Sequence, residues 1–164
     1  MPVKKILALG GVILVLGAAG YWAATTVFRS EPVCQVCARP IHVGQGYTLG
    51  LTDGTKERAC CPRCGLHFHI TNADRVQSAW ATDYATGEQI EAGPAFYVEG
   101  SDLMTCCSTS PVKRELETTY ELVWDRCLPS LIAFKTNAEA QQFRHQHGGR
   151  VLSYAQAVQS VKER

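Results

Sequence analysis

Cysteine is the residue that sets this chain apart: it occurs 8 times in 164 residues. Two C-x2-C pairs stand out, Cys34-Gln35-Val36-Cys37 and Cys61-Pro62-Arg63-Cys64. Thiolates are soft anionic ligands, and a tight turn aims both sulfurs of such a pair at one tetrahedral ion, with Zn–S near ~2.3 Å. The pairs lie on either side of a hairpin signal, so Cys34, Cys37, Cys61 and Cys64 are the candidate ligands of a structural zinc in a zinc-ribbon-like segment, residues 30–70. Gly65, directly after Cys64, suits the sharp turn of a metal knuckle. The same thiols also admit two short-loop disulfides. A third use is a redox dithiol, because Cys61 and Cys64 lie near a helix start.

Cys60, Cys106, Cys107 and Cys127 complete the set. In an extended strand Cys60 would face away from Cys61. Cys106-Cys107 is a vicinal pair close after Met104. Thioether and thiolates together select Cu(I) over hard cations, which makes Met104, Cys106, Cys107 and Cys127 a candidate soft-metal set. A disulfide from Cys127 to Cys106 or Cys107, or burial as small hydrophobes, accounts for the same residues. Among the histidines, His67 and His69 would share a face on a strand but not on a helix. His42 is placed to be a ligand or its partner, and His145 and His147 suit a helix C-terminus.

These groups need a scaffold. The formal net charge of +1, with charged residues at 19%, argues against a basic nucleic-acid surface and against general disorder. Lys4 and Lys5 precede an uncharged run, Ile6–Phe28. A bilayer needs roughly 20 apolar residues in helix. Residues 1–29 therefore read as a cytoplasmic N-terminus and a single transmembrane anchor, with residues 6–28 in the membrane. The lysines stay inside, which places residues 30–164 on the extracytoplasmic, periplasmic side. A cleaved signal peptide is the rival reading, but its apolar region is normally only about 7–15 residues.

Residues 30–164 suffice for one core. Asp53-Gly54 between Gly46–Thr52 and Thr55–Cys60 predicts a two-residue hairpin with positive φ at both turn positions. Pro62 suits the first turn of a helix over Arg63–Ile70. Val76–Asp83, Pro94–Glu99, Leu122–Asp125 and Ser130–Phe134 read as strands, with a turn at Gly87 and a loop or exposed edge over Ser108–Thr119. Thr136 and Glu139 form a capping box for a helix bearing Ala140, Phe143 and His147 on one face, stopped by Gly148-Gly149. Val151–Leu152 is a short strand, Ser153 an N-cap and Tyr154–Val161 a last helix. The class is α+β.

Four segments in order carry a resemblance: Cys34-Gln35-Val36-Cys37-Ala38-Arg39-Pro40-Ile41, Ala81-Thr82-Asp83-Tyr84-Ala85-Thr86-Gly87-Glu88, Ala95-Phe96-Tyr97-Val98-Glu99-Gly100-Ser101 and His147-Gly148-Gly149-Arg150-Val151-Leu152. Together they resemble the NosL family, membrane-tethered accessory proteins of nitrous-oxide reductase that are thought to deliver Cu(I). Cys37 falls where the family's cysteine does. The resemblance implies a NosL-like α+β domain with a metallochaperone role. The chain departs from the family pattern in several places. Ala38-Arg39 stands where the family has glycine and methionine, and Asp125-Arg126-Cys127-Leu128-Pro129 replaces a methionine-bearing segment. Cys61, Cys64 and Cys106-Cys107 are additions, and a helix replaces the usual lipid anchor.

The expectation is a membrane-anchored metal-binding protein with zinc, and with Cu(I) as a second ion. Its partner would be another protein or a membrane complex. The alternatives are a zinc-stabilised assembly subunit of a respiratory membrane complex and a thiol-disulfide oxidoreductase. No small-molecule substrate or hydrolytic enzyme is expected. The sequence lacks a nucleophile elbow, a phosphate loop and a zinc-protease helix, and Asp83 and Glu88 read as turn and solvated edge.

Overall fold

The computed structural model describes residues 32–41, 44–103, 112–115, 118–121 and 127–163, with 112–115 and 118–121 described by backbone alone. The expected anchor over 6–28, His42, Met104, Cys106, Cys107 and the expected strand Leu122–Asp125 lie outside the described residues. Among the described residues, no helix is long and apolar enough to cross a membrane.

The first sheet begins with β1 (Tyr47–Leu51) and β2 (Lys56–Ala59). Their antiparallel ladder pairs Tyr47 with Ala59 and Gly50 with Lys56. The turn between them differs from the two-residue expectation. Only Gly54 takes positive φ, at 83°, and Leu51 N–H donates to Thr55 O at 2.9 Å. Asp53 instead bonds forward, its Oδ1 accepting from Thr55 N and Oγ1 at 2.9 and 2.6 Å. This is the longer hairpin loop in which a single left-handed glycine suffices. Next come helix α1 (Pro62–Thr71) and strands β3 (Val76–Thr82) and β4 (Gln89–Glu91). The sheet order is β2-β1-β3-β4. Strand β4 was not foreseen; three residues with only Ile90 buried leave too short a pattern to read.

A three-stranded antiparallel sheet follows, ordered β8-β5-β9, from β5 (Phe96–Glu99), β8 (Leu131–Phe134) and β9 (Arg150–Ser153). All four residues of β8 are buried, because both faces of this sheet are covered. Val98, Ile132 and Phe134 pack with Ala140 and Phe143 of α2 (Asn137–His147). Tyr97, Leu131, Ala133 and Leu152 face the other way, with Leu66 of α1 and Ala157 and Val161 of α3 (Tyr154–Lys162). The two-residue period of strands produces this split, and each large side chain so buried contributes about 1.5–3 kcal/mol. Where a loop or edge was expected over 108–119, β6 (Val112–Glu115) pairs antiparallel with β7 (Thr118–Glu121), which runs two residues beyond that segment.

Both C-terminal helices start as predicted. Thr136 and Glu139 close a capping box on α2, and Ser153 and Gln156 close one on α3. The Asp83 motif joins the sheets. Asp83, fully buried, accepts from Lys135 N at 3.0 Å and from Thr86 N and Oγ1 at 3.1 and 2.7 Å. Its neighbour Tyr84 donates its N–H to Ala133 O at 2.9 Å. Glu88 is an exposed partner of Lys135, 3.9 Å away.

Candidate metal centre

Three stretches of chain deliver sulfur to one place. The first is the turn Cys34–Cys37. Its backbone closes on itself, with Ala38 N–H bonded to Cys34 O at 2.9 Å and Cys34 N–H to Arg39 O at 2.8 Å. Ala38 exits with φ 56°, a left-handed conformation that is unusual for a residue with a Cβ. Val36 N–H points back at Cys34 Sγ, 3.4 Å away.

The second stretch is the start of α1. Cys61 is its N-cap in extended conformation, and its side chain makes no capping bond. Pro62 follows, where a missing N–H costs nothing, and Cys64 lies within the first turn. Gly65 is therefore a helical residue, not the knuckle turn expected. Its glycine character serves packing, since a Cβ there would lie 2.1 Å from Tyr47 Cδ1. The third stretch is Cys127, ahead of the cis Leu128-Pro129 bond.

Two groups of sulfurs result, each with all its atoms within 4.8 Å of one another: Cys34, Cys37, Cys60 and Cys64, and Cys60, Cys61, Cys64 and Cys127. The expected quartet is thus brought into one neighbourhood, but Cys60 joins Cys34, Cys37 and Cys64 where the spacing argument had put Cys61. Cys127, expected with Met104 and the vicinal pair, sits with the C-x2-C pairs. The Sγ separations are 3.5 Å for Cys37–Cys60, 3.6 Å for Cys64–Cys127 and 3.8 Å for Cys60–Cys127. A tetrahedron with metal–sulfur bonds of about 2.3 Å has edges of about 3.8 Å. No disulfide joins the six described cysteines.

The sulfurs polarise one another. Hydrogen bonds from Cys60 and Cys64 draw the Cys34 thiol far below its ordinary value. Hydrogen bonding with Cys127, then with Cys34 and Cys60, drives Cys64 strongly up, and burial pushes Cys37 up. Hydrogen bonds from its neighbours thus favour the thiolate form of Cys34. Arg39 Nη1 adds a donor to Cys127 Sγ at 3.6 Å. Of the six described cysteines, five are buried and Cys37 is partly exposed.

The scaffold behind the site is ionic. Arg63, between Cys61 and Cys64, turns away from the sulfurs. Its Nε donates to Pro129 O at 2.7 Å, and its guanidinium pairs with buried Glu99. Ser160 of α3 also donates to Glu99, and Arg150 binds the other carboxylate oxygen at 2.7 Å through Nε. Burial alone would raise the Glu99 carboxyl, but Ser160, Arg150 and Arg63 outweigh it and hold it below its ordinary range. One carboxylate thereby ties α1, α3 and β9 to β5, and fixes the segment just beyond Cys127.

The described histidines stand outside both sulfur groups. His67 and His69 lie on α1, with His67 exposed. His69 Nδ1 is 3.1 Å from Tyr154 Oη, and burial lowers its pKa. His147 Nδ1 is 3.0 Å from Asp102 Oδ1, and its ring stacks on Phe143 at 4.6 Å. Cys60 and Arg39 are the site residues that sequence reasoning missed. The period-two argument turned Cys60 away, but β2 ends at Ala59, and the bend over Cys60 and Cys61 lets both side chains reach the interior. Arg39 gave no signal beyond its place after the first pair.

Fold and site define an α+β domain with antiparallel sheets, of NosL-like fold, enclosing a cysteine cluster with the geometry to hold metal. The fold is similar to that of the crystal structure of the copper chaperone NosL from Shewanella denitrificans. The TM-score is 0.55 and the identity 17%, over 77% of this chain and 88% of that one. In sequence, the chain is 21% identical over 133 residues to the HTH-type transcriptional repressor CutR of Bacillus subtilis (strain 168). That match covers 81% of this chain but only 60% of the repressor. No family model matches the sequence.

Proposed function

We propose that this protein is a membrane-anchored metallochaperone of NosL-like fold that carries a thiophilic ion on its cysteine cluster and passes it to a protein partner. The carrying observation is the convergence of six cysteines in two overlapping groups, each with its sulfurs within 4.8 Å of one another, and with Cys37–Cys60, Cys64–Cys127 and Cys60–Cys127 at 3.5, 3.6 and 3.8 Å. The fold likeness to a copper chaperone supports a carrier role with Cu(I) as cargo. The anchor over residues 6–28 and an extracytoplasmic domain belong to the same proposal. Transfer proceeds by ligand exchange: an incoming thiolate displaces one sulfur at a time. Cys37 is the entry point because it is the partly exposed member.

Burial of the other sulfurs favours a second reading, in which zinc is held structurally and the domain serves as an assembly subunit of a membrane complex. Closed four-thiolate sites are usually structural. A thiol oxidoreductase needs an exposed thiol of low pKa, and Cys61 and Cys64 are 2% and 0% exposed.

The test is to purify the full chain in detergent without chelator or oxygen, measure zinc, copper and thiols, and repeat on Cys64→Ser. Bound thiophilic metal that falls in the variant, and that moves to a competing thiol chelator within minutes, is the expected result. Metal that stays bound for hours favours the structural zinc reading. A chain with no metal affinity overturns both.

A further inference from the structure

We propose that the cluster takes two metal ions, with the thiolates of Cys60 and Cys64 bridging them. This rests on the metal-binding reading above and extends it from one ion to a pair. The ligand class is a pair of thiophilic divalent ions, zinc(II) being the reference.

One tetrahedral ion uses four thiolates, and six are gathered here. The two sulfur groups share Cys60 and Cys64 and no other residue. Two tetrahedra joined along one edge have this composition: two bridging sulfurs and two terminal sulfurs on each ion. Cys34 and Cys37 are the terminal pair of the first ion, and Cys61 and Cys127 of the second. The sulfur separations fall on edges of both tetrahedra: Cys37–Cys60 at 3.5 Å in the first, Cys60–Cys127 at 3.8 Å and Cys64–Cys127 at 3.6 Å in the second.

The local chemistry agrees with this count. Loading a fully protonated cluster releases six thiol protons to solvent and forms eight metal–sulfur bonds, with no change of oxidation state. Two divalent ions against six thiolates leave two negative charges uncompensated. Arg39, bonded to Cys127 Sγ, and Val36 N–H, bonded to Cys34 Sγ, lie at one terminal sulfur of each ion. The positive end of the α1 dipole adds to them at Cys61 and Cys64. Cys61, at the N-cap of α1, places its sulfur in the second group. A second ion also accounts for Cys127 lying within the C-x2-C neighbourhood.

The full chain, reduced and loaded with 113Cd(II), separates the possibilities. Native mass spectrometry should count two cadmium ions per chain. Two 113Cd resonances are expected, and in 113Cd–1H correlation the β-protons of Cys60 and of Cys64 should each couple to both. Cys127→Ala should keep one ion, correlated to Cys34, Cys37, Cys60 and Cys64. One ion at saturation, or two ions that share no cysteine, overturns the bridged pair and leaves the metal-binding reading standing. No bound cadmium overturns both. If Cys127→Ala does not fold, the correlations of the unsubstituted chain decide.

Discussion

Replacing Gly65 by alanine tests how the fold positions the sulfurs. The new Cβ would lie 2.1 Å from Tyr47 Cδ1, 2.3 Å from Cγ and 2.7 Å from Cβ. Ordinary contact begins at 3.4 Å, so the nearest pair must separate by about 1.3 Å (3.4 − 2.1). Tyr47 is fully buried and paired on both sides, to Ala59 and to Ala81. The sheet is therefore the stiffer partner, and α1 must move. That helix carries Cys64 and is capped by Cys61, whereas metal–sulfur distances tolerate only about 0.2 Å. Overpacking of this kind costs about 1–3 kcal/mol or more, and alanine returns about 1 kcal/mol of helix propensity. Because the three closest contacts are all below 3 Å, the upper end applies, and net destabilisation should be about 2 kcal/mol. Denaturant unfolding of the metal-free chain reads that value, and competition against a zinc chelator should show affinity reduced at least tenfold. Gly93→Ala is the control, since its Cβ would meet nothing within 4 Å; it should stay within about 0.5 kcal/mol of the parent. A Gly65→Ala protein equal to the parent in both assays would refute the argument that this glycine sets the helix against the sheet.

Other substitutions probe the surroundings of the site. Ala38→Gly should stabilise the metal-free fold by about 0.5–1 kcal/mol in denaturant melts, because relief of the φ 56° conformation exceeds the added unfolded-state entropy. Asp83→Ala removes the acceptor of three hydrogen bonds from Lys135 and Thr86 and should cost about 3 kcal/mol; a loss under 1 kcal/mol would show that the junction between the sheets does not depend on it. Glu99 has a depressed folded-state pKa, so its contribution is fully present above its ordinary value of 4.5 and is lost as pH falls through the lower folded value. Unfolding free energy of the metal-free chain should therefore drop below about pH 4.5, and that part of the pH dependence should vanish in Glu99→Gln, which is itself less stable because Arg63 loses its buried partner.

The elements that local chemistry specifies were legible in advance. The capping box at Thr136, the N-cap at Ser153, the apolar run of β8 and the proline start of α1 each need only a few neighbouring residues to declare themselves. The α+β class followed from them. The C-x2-C pairs announced thiolate chemistry, because their spacing is itself the signal. What stayed hidden depended on distant chain. Cys127 meets Cys60 and Cys64 only because β8 returns beside β5 and Arg63 holds Pro129. Gly65 looked like a turn residue, and only the approach of Tyr47 explains it. Cys60 was misjudged over a single residue, since alternation ceases where the strand does. Glu99 carried no sign that two arginines and a serine from three other elements would converge on it.

The sulfurs are also part of the hydrophobic core. Cys34, Cys60, Cys61, Cys64 and Cys127 belong to the same buried cluster as Tyr47, Leu49, Leu66 and Tyr97. In the carrier reading, protons return when an ion leaves, and protonated thiols are small groups that an apolar interior accepts. Unloading would then expose no further apolar surface, since these sulfurs lie within the core. A carrier built in this way would be filled and drained without unfolding.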